Sequence, residues 1–447
     1  MKAYRAAILS FTQSGSEVQA HLEEDGLLVT GFLAQEPNCE VILAVGGYQS
    51  VLDQWPNRGL PPLNIEDIEH MPGKILAPGF IDMHVHFPQI DVIGSPAPGL
   101  LPWLENYTFP QEMRFKDSSH ADFMAEIFLD ELLSNGVTTA LTFATAHSSS
   151  VNALFLASEK RNLRIITGLC LMDQHSPQGL QQESEQSLRE TEELIKRWHE
   201  VGRLGYAITP RFVPTCSEAQ LRGAGELAQQ FPSTWIQSHV SENHDEIAWV
   251  KALYPKSRSY LSVYDEMGLM RERAIYAHCI HFDEKDRALM KERQTSAALC
   301  PTSNLFLGSG YFDYAAAERS GFMYGLGSDV GGGTSFSPFK TMLGAFYVAQ
   351  YQNAPGGHKP LFSSSAAHLW WQHTAGAAKA LGLEGQVGNL KEGYEADFLV
   401  LNPQATPLLA RRTQQSKNLE ELLFSMIVLA DDRAVEKTII AKRLALS

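Results

Sequence analysis

The pattern of apolar and polar positions gives the chain two textures. Over roughly the first 70 residues, β-type runs at 4–11, 17–30 and 41–45 are broken by Gly and Pro, which predicts short strands. From residue 75 onward, short apolar runs alternate with longer stretches of helical periodicity. The runs lie at 75–84, 138–145, 164–171, 205–212, 234–240, 274–279, 296–300 and 323–328. Helical pattern fills several of the gaps, notably 119–134, 180–201 and 217–230. Eight strand runs separated by crossovers predict an α/β fold, a (β/α)8 TIM-type barrel rather than an open sheet. The run at 296–300 is short, and that at 323–328 contains two glycines. Strand texture returns at 396–401 and 434–441, so both chain ends are expected to build one small β-sandwich domain. The expected division is 1–74 plus 382–447 for that domain and 75–381 for the barrel.

Composition narrows the function classes. The 447 residues carry 36 Lys+Arg against 51 Asp+Glu, a net charge of −15, which argues against a partner held through its phosphates. Nucleic acid is therefore not an expected partner. Five cysteines, odd in number and never in a C-x-x-C pair, form neither a disulfide framework nor a thiolate zinc site. The stretch Ala6 to Leu9 is too short for a signal-peptide core, and no apolar run approaches the ~20 residues that cross a bilayer. No membrane partner is expected, and the expected location is the cytoplasm.

Candidate chemistry clusters at the ends of the strand runs. His84 and His86 close the first; residues i and i+2 of a strand share a face, so both imidazoles aim at the C-terminal mouth of the barrel. An isolated H-x-H is weak evidence. Here His239 ends the fifth run, His278 the sixth, and Asp329 follows the eighth. Strand ends distant in sequence converge in a barrel, and imidazole and carboxylate are zinc-type donors. Glu242 lies three residues after His239, close enough to serve a metal site while free to move protons. His244 and His281 read as surface residues. The glycine-rich stretch 325–333 lacks a phosphate-loop arrangement and reads as a flexible loop beside Asp329. His21-Leu22-Glu23 matches the H-x-E of cytidine-type deaminases, but no P-C-x-x-C follows, which excludes that fold.

Pro78-Gly79-Phe80-Ile81-Asp82-Met83-His84-Val85-His86, with the later His, His and Asp, resembles the amidohydrolase superfamily. So does the tail Gly388-Asn389-Leu390-Lys391-Glu392-Gly393-Tyr394-Glu395-Ala396-Asp397-Phe398. Within it, His86-Phe87-Pro88-Gln89, Tyr107-Thr108-Phe109-Pro110, Pro210-Arg211-Phe212, His239-Val240-Ser241-Glu242 and Cys300-Pro301-Thr302-Ser303-Asn304-Leu305 look like the guanine deaminase family. The resemblance implies one zinc per chain, held by His84, His86, His239 and Asp329. It implies Glu242, Asp329 and His278 as catalytic residues, the last hydrogen-bonded to the attacking water. Gln89, Arg211 and Phe212 would hold the purine, with His239, Glu242 and Asp329 also touching it. Read from sequence alone, Phe212 is a core-packing residue. The implied reaction takes guanine and water to xanthine and ammonia, in a homodimer. The alternatives are a sister deaminase for an oxidised purine, pterin or triazine, and a noncatalytic scaffold of the same fold.

Overall fold

A computed structural model describes residues 1–33, 39–353 and 365–443. Eight parallel strands form a nearly closed barrel in chain order: Phe80–His86, Val137–Phe143, Arg164–Gly168, Gly205–Pro210, Trp235–Val240, Ala274–His278, Ser296–Leu299 and Tyr324–Leu326. Almost every residue in them is buried, as expected of strands covered on both faces. All eight expected strands are present, including the two weakest. Ile81, Met83, Leu141, Ile166, Ala207, Ile275 and Ala298 fill the barrel interior, and the helix Ala375–Ala380 packs against this cluster through Ala377 and Ala378.

The first and last barrel strands join through backbone bonds beside the chemistry. Asp329 N donates to His84 O at 2.8 Å, and His86 N donates to Val330 O at 3.0 Å. Buried Asp82 reinforces the seam by accepting from His84 N at 3.1 Å and Ser328 N at 2.9 Å.

Apart from the two-residue strand Cys170–Leu171, which pairs with Gly205–Pro210, the other strands form a six-stranded sheet in the order Val435–Ile439, Phe398–Leu401, Glu69–Pro78, Lys2–Ser14, Glu17–Gly31 and Val41–Gly47. Its pairings are antiparallel except that between Lys2–Ser14 and Glu69–Pro78. The apolar run at 75–84 is thus two strands. Its first part pairs with Phe398–Leu401 in the small sheet, and after Gly79 the chain enters the barrel. Both halves bury apolar side chains, so the hydrophobic pattern does not mark the break. A buried ion-pair cluster ties the two parts together: Arg203 pairs with Glu395 and Asp397, and Arg164 with Glu395.

Between the first and second barrel strands, residues 87–116 form a chain of short helices: Phe87–Val92, Leu100–Trp103, Leu104–Thr108, Phe109–Met113 and Arg114–Lys116. This segment lies at the C-terminal mouth, where barrel enzymes carry their sites. The helix Ser118–Ser134 then begins at Asp117, whose carboxylate accepts from Ser119 N at 2.9 Å.

Candidate active site

The register between the first two barrel strands shifts between Asp82 and Val85. Ile81 and Met83 point into the barrel core below the shift, and His84 and His86 reach the mouth above it. The ring nitrogens of His84, His86 and His239 lie within 4.8 Å of one another. Asp329 Oδ1 stands 3.2 Å from both His84 Nε2 and His86 Nε2, and His86 Nε2 is 3.3 Å from His239 Nε2. Bonds of about 2.0–2.1 Å in a tetrahedron put neighbouring donors about 3.3 Å apart, so this spacing fits a four-ligand zinc site. Burial holds the His86 pKa down to about 4 and, with the charge of His84 second, holds His239 well below the ordinary range. Neutral imidazole is the metal-binding form. Burial acts to raise the Asp329 pKa, but the facing His84 holds it well below the ordinary carboxylate range. His84 also lies near Cys300, whose thiol burial pushes well above its ordinary value and which donates to Ala298 O. A protonated thiol is a poor ligand.

Strained backbone aims these groups. His278 (φ 72), Asp329 (φ 50) and Ser241 (φ 50) all sit in the left-handed region. Such conformations cost about 1–3 kcal/mol each and cluster at functional sites. His278 Nδ1 meets Asn304 Oδ1 at 2.9 Å, which turns Nε2 toward Glu242 Oε2 at 3.3 Å and Asp329 Oδ2 at 3.9 Å. Burial, then the Asp329 charge, pushes the Glu242 pKa up to about 8. Glu242 Oε1 accepts from Ser309 Oγ at 2.8 Å. Its backbone N–H donates to buried Glu246, so the loop carrying it is pinned at both ends of the residue.

A cavity opens above this cluster. His86, His239, His278, Glu242 and Asp329 line one side; Gln89 and Arg211 line another, and Leu100, Trp103, Leu104, Phe212 and Leu307 close the apolar walls. Phe212 also packs edge-on against Trp249 at 6.2 Å, so it serves both the wall and the packing behind it. Gln89 Nε2 and Arg211 Nη1 donate to the two oxygens of buried Glu112, at 3.0 and 2.6 Å. The Phe109 ring lies 5.2 Å from the Arg211 guanidinium carbon. Every expected site residue is therefore brought to one cavity or, for His84, to the ligand cluster beneath it.

Residues 75–444 match the family model described as Amidohydrolase family. Over 372 residues the chain is 44% identical to the guanine deaminase of Escherichia coli (strain K12), covering 83% of each protein. The chain belongs to the amidohydrolase family, among its guanine deaminases. A probable guanine deaminase of Deinococcus radiodurans is 35% identical over 439 residues, 98% of this chain and 97% of that one. The crystal structure of guanine deaminase from C. acetobutylicum, with guanine bound in its active site, superposes with a TM-score of 0.86 at 31% identity over 98% of each chain.

Several parts of this amidohydrolase site escape the sequence reading. Glu112, Asn304, Ser309 and Glu246 stand at no strand-run end; Asn304 lies within Cys300–Leu305, and Glu112 two residues past Tyr107–Pro110. The stretch 325–333 serves close packing rather than looseness: a Cβ at Gly327 would meet the His84 backbone at 2.8 Å, and one at Gly333 the Ser328 carbonyl at 1.8 Å. His244 is exposed, whereas His281 is half-buried, its ring tilted against that of His244 at 4.0 Å and hydrogen-bonded to Ser309 O.

Proposed function

We propose that the chain catalyses the hydrolytic deamination of guanine to xanthine and ammonia with one zinc per chain. One observation carries this: a single cavity is lined by a proton carrier, a guanidinium-amide pair and three members of a four-donor cluster with zinc spacing, whose fourth member is His84. His84, His86, His239 and Asp329 would hold the metal. Zinc bound there would make water acidic enough to act as a nucleophile near neutral pH.

The chain's own residues do the rest. Arg211 donates to the base O6, the Gln89 amide oxygen accepts from the ring N1–H, and Phe212 flanks the ring. Asp329 accepts a proton from the attacking water while His278 holds that water in place. Glu242, protonated in the free site, delivers its proton to ring N3 as the C2–O bond forms. The Glu242 carboxylate then takes the proton of the new C2 hydroxyl and passes it to the amine as the C2–N bond breaks and C2=O forms, and the proton on Asp329 returns Glu242 to its acid form. Guanine and water are consumed, and xanthine and ammonia leave.

We further take residues 75–381 as the catalytic unit and 1–74 with 382–447 as the small β domain, the strand Glu69–Pro78 crossing that border. A cytoplasmic homodimer serving purine metabolism is the setting the family resemblance supports. No helix among the described residues is long and apolar enough to cross a membrane.

The deciding experiment joins metal analysis with ammonia release from guanine, 8-oxoguanine, cytosine, adenine and a pterin. Zinc-loaded protein should release ammonia from guanine fastest. Zinc-loaded protein inactive on guanine but active on another member of the panel would overturn the assignment.

A further inference from the structure

The groups that meet the base do not choose their own orientation. A primary amide can present either its oxygen or its nitrogen to a ligand, and the two choices recognise opposite hydrogen-bond patterns. Glu112 removes that choice. It is fully buried on the short helix Phe109–Met113, and both of its oxygens are engaged, one by Gln89 Nε2 and the other by Arg211 Nη1. A carboxylate paired with a guanidinium only accepts. Gln89 must therefore show its NH2 to Glu112, and its oxygen is left for another partner.

Arg211 is constrained in the same way. Its Nη1 is taken by the carboxylate, a further N–H by the Cys170 sulfur and its face by the Phe109 ring, while the side chain lines the cavity. Burial by itself would lower the Arg211 pKa, but the Glu112 charge raises it, so the donor stays a cation. The helix carrying Glu112 is anchored from outside by Gln111 Nε2 donating to Asp91 at 2.9 Å.

We propose that Glu112 is a positioning residue that sets the hydrogen-bond polarity of the base-reading wall, an acceptor from Gln89 beside a donor from Arg211. That pair complements a ring edge carrying N–H next to C=O, the O6/N1–H edge of a 6-oxopurine. It mismatches a purine lacking both. The inference rests on the guanine reading and adds the residue that makes the wall selective.

The test uses the zinc-loaded full chain and two unreactive ligands. Hypoxanthine carries the O6/N1–H edge without the C2 amine; purine carries neither. Calorimetry gives Kd for each in the wild type and in Glu112→Gln, with melting temperature and zinc content measured alongside. In the variant the Gln89 amide is free to turn over and Arg211 loses its fixed partner. Hypoxanthine affinity should fall about tenfold or more while purine affinity moves by less than about threefold. A residue that only supports the fold would weaken both ligands together. Gln89→Met, which leaves the Glu112–Arg211 pair intact, should lose part of the same discrimination, and the two losses should not multiply in the double variant.

If Glu112→Gln does not fold, Glu112→Asp replaces it, since it keeps the charge and withdraws the carboxylate by one methylene; the contrast should narrow in the same direction. An unchanged hypoxanthine-to-purine ratio in a folded variant overturns the proposal, as does failure of both variants to fold, which would make Glu112 a structural residue. Wild-type protein that binds hypoxanthine selectively yet releases no ammonia from guanine would overturn the deaminase reading and leave the role of Glu112 standing.

Discussion

His239 Nδ1 lies 2.6 Å from the backbone carbonyl oxygen of Arg211. A carbonyl only accepts, so Nδ1 carries the proton and Nε2 is left as a lone-pair donor facing His86. Arg211 thus orients a proposed metal ligand through its main chain while its side chain enters the base cavity. The proposed ligand geometry and the proposed base contact share one residue, directly after the fourth barrel strand.

The ligand set predicts metal content. Three imidazoles and one carboxylate should hold about one zinc per chain. Replacing His84, His86, His239 or Asp329 with Ala should abolish both zinc and activity, read by elemental analysis and ammonia release. Two metals per chain, with turnover requiring both, would refute the mononuclear site.

Glu242→Gln keeps size and polarity but cannot carry the proton. We expect kcat to fall by roughly 10²–10⁴, the usual worth of acid–base catalysis, with zinc retained. Loss of the metal in this variant would make Glu242 a ligand and require a different mechanism.

Arg211 tests recognition. A point ammonium cannot both pair with Glu112 and reach the base as the planar fork does, so Arg211→Lys should reduce kcat/KM for guanine strongly. Arg211→Ala should also narrow the gap between guanine and analogues without O6, because sites built on buried polar contacts reject mismatched bases by up to ~10⁴–10⁵. Guanine turnover within about threefold of wild type in both variants would exclude Arg211 as the base reader, since a charged hydrogen bond lost from a buried site costs more than that.

Glu246 predicts a pH effect on stability. Burial, then the charge of Glu242, pushes its pKa up to about 7 from an ordinary 4.5. The folded state therefore holds this proton more tightly than the unfolded chain. Its contribution is fully present below about pH 4.5 and is lost as pH rises through about 7, by about 3 kcal/mol as an upper bound. Because Gln cannot ionise, the melting temperature of the wild type should fall relative to that of Glu246→Gln as pH rises from 5 to 8. Parallel profiles across that range would show that Glu246 does not titrate there.

The barrel was legible because its signal is local. Eight apolar runs, each buried on both faces, announce themselves without knowledge of their neighbours. His84, His86, His239, His278 and Asp329 could be singled out for the same reason: each sits at the end of such a run, and the barrel rule converts that position into convergence. Glu242 followed from its three-residue distance to His239.

Tertiary structure alone decided the rest. The run at 75–84 divides between two sheets because both halves are equally apolar, and strand pairing rather than composition separates them. Glu112 joins Gln89, 23 residues before it, to Arg211, 99 residues after it, and nothing in its own surroundings distinguishes it from a solvent-facing glutamate. The glycines at 327 and 333 report a close approach to strand one and to their own loop, which no window of sequence contains. Periodicity records which face of an element is buried. Which polar groups meet inside that burial is set by strand order, register and the short helices over the mouth, where each buried donor needs an acceptor supplied from far along the chain.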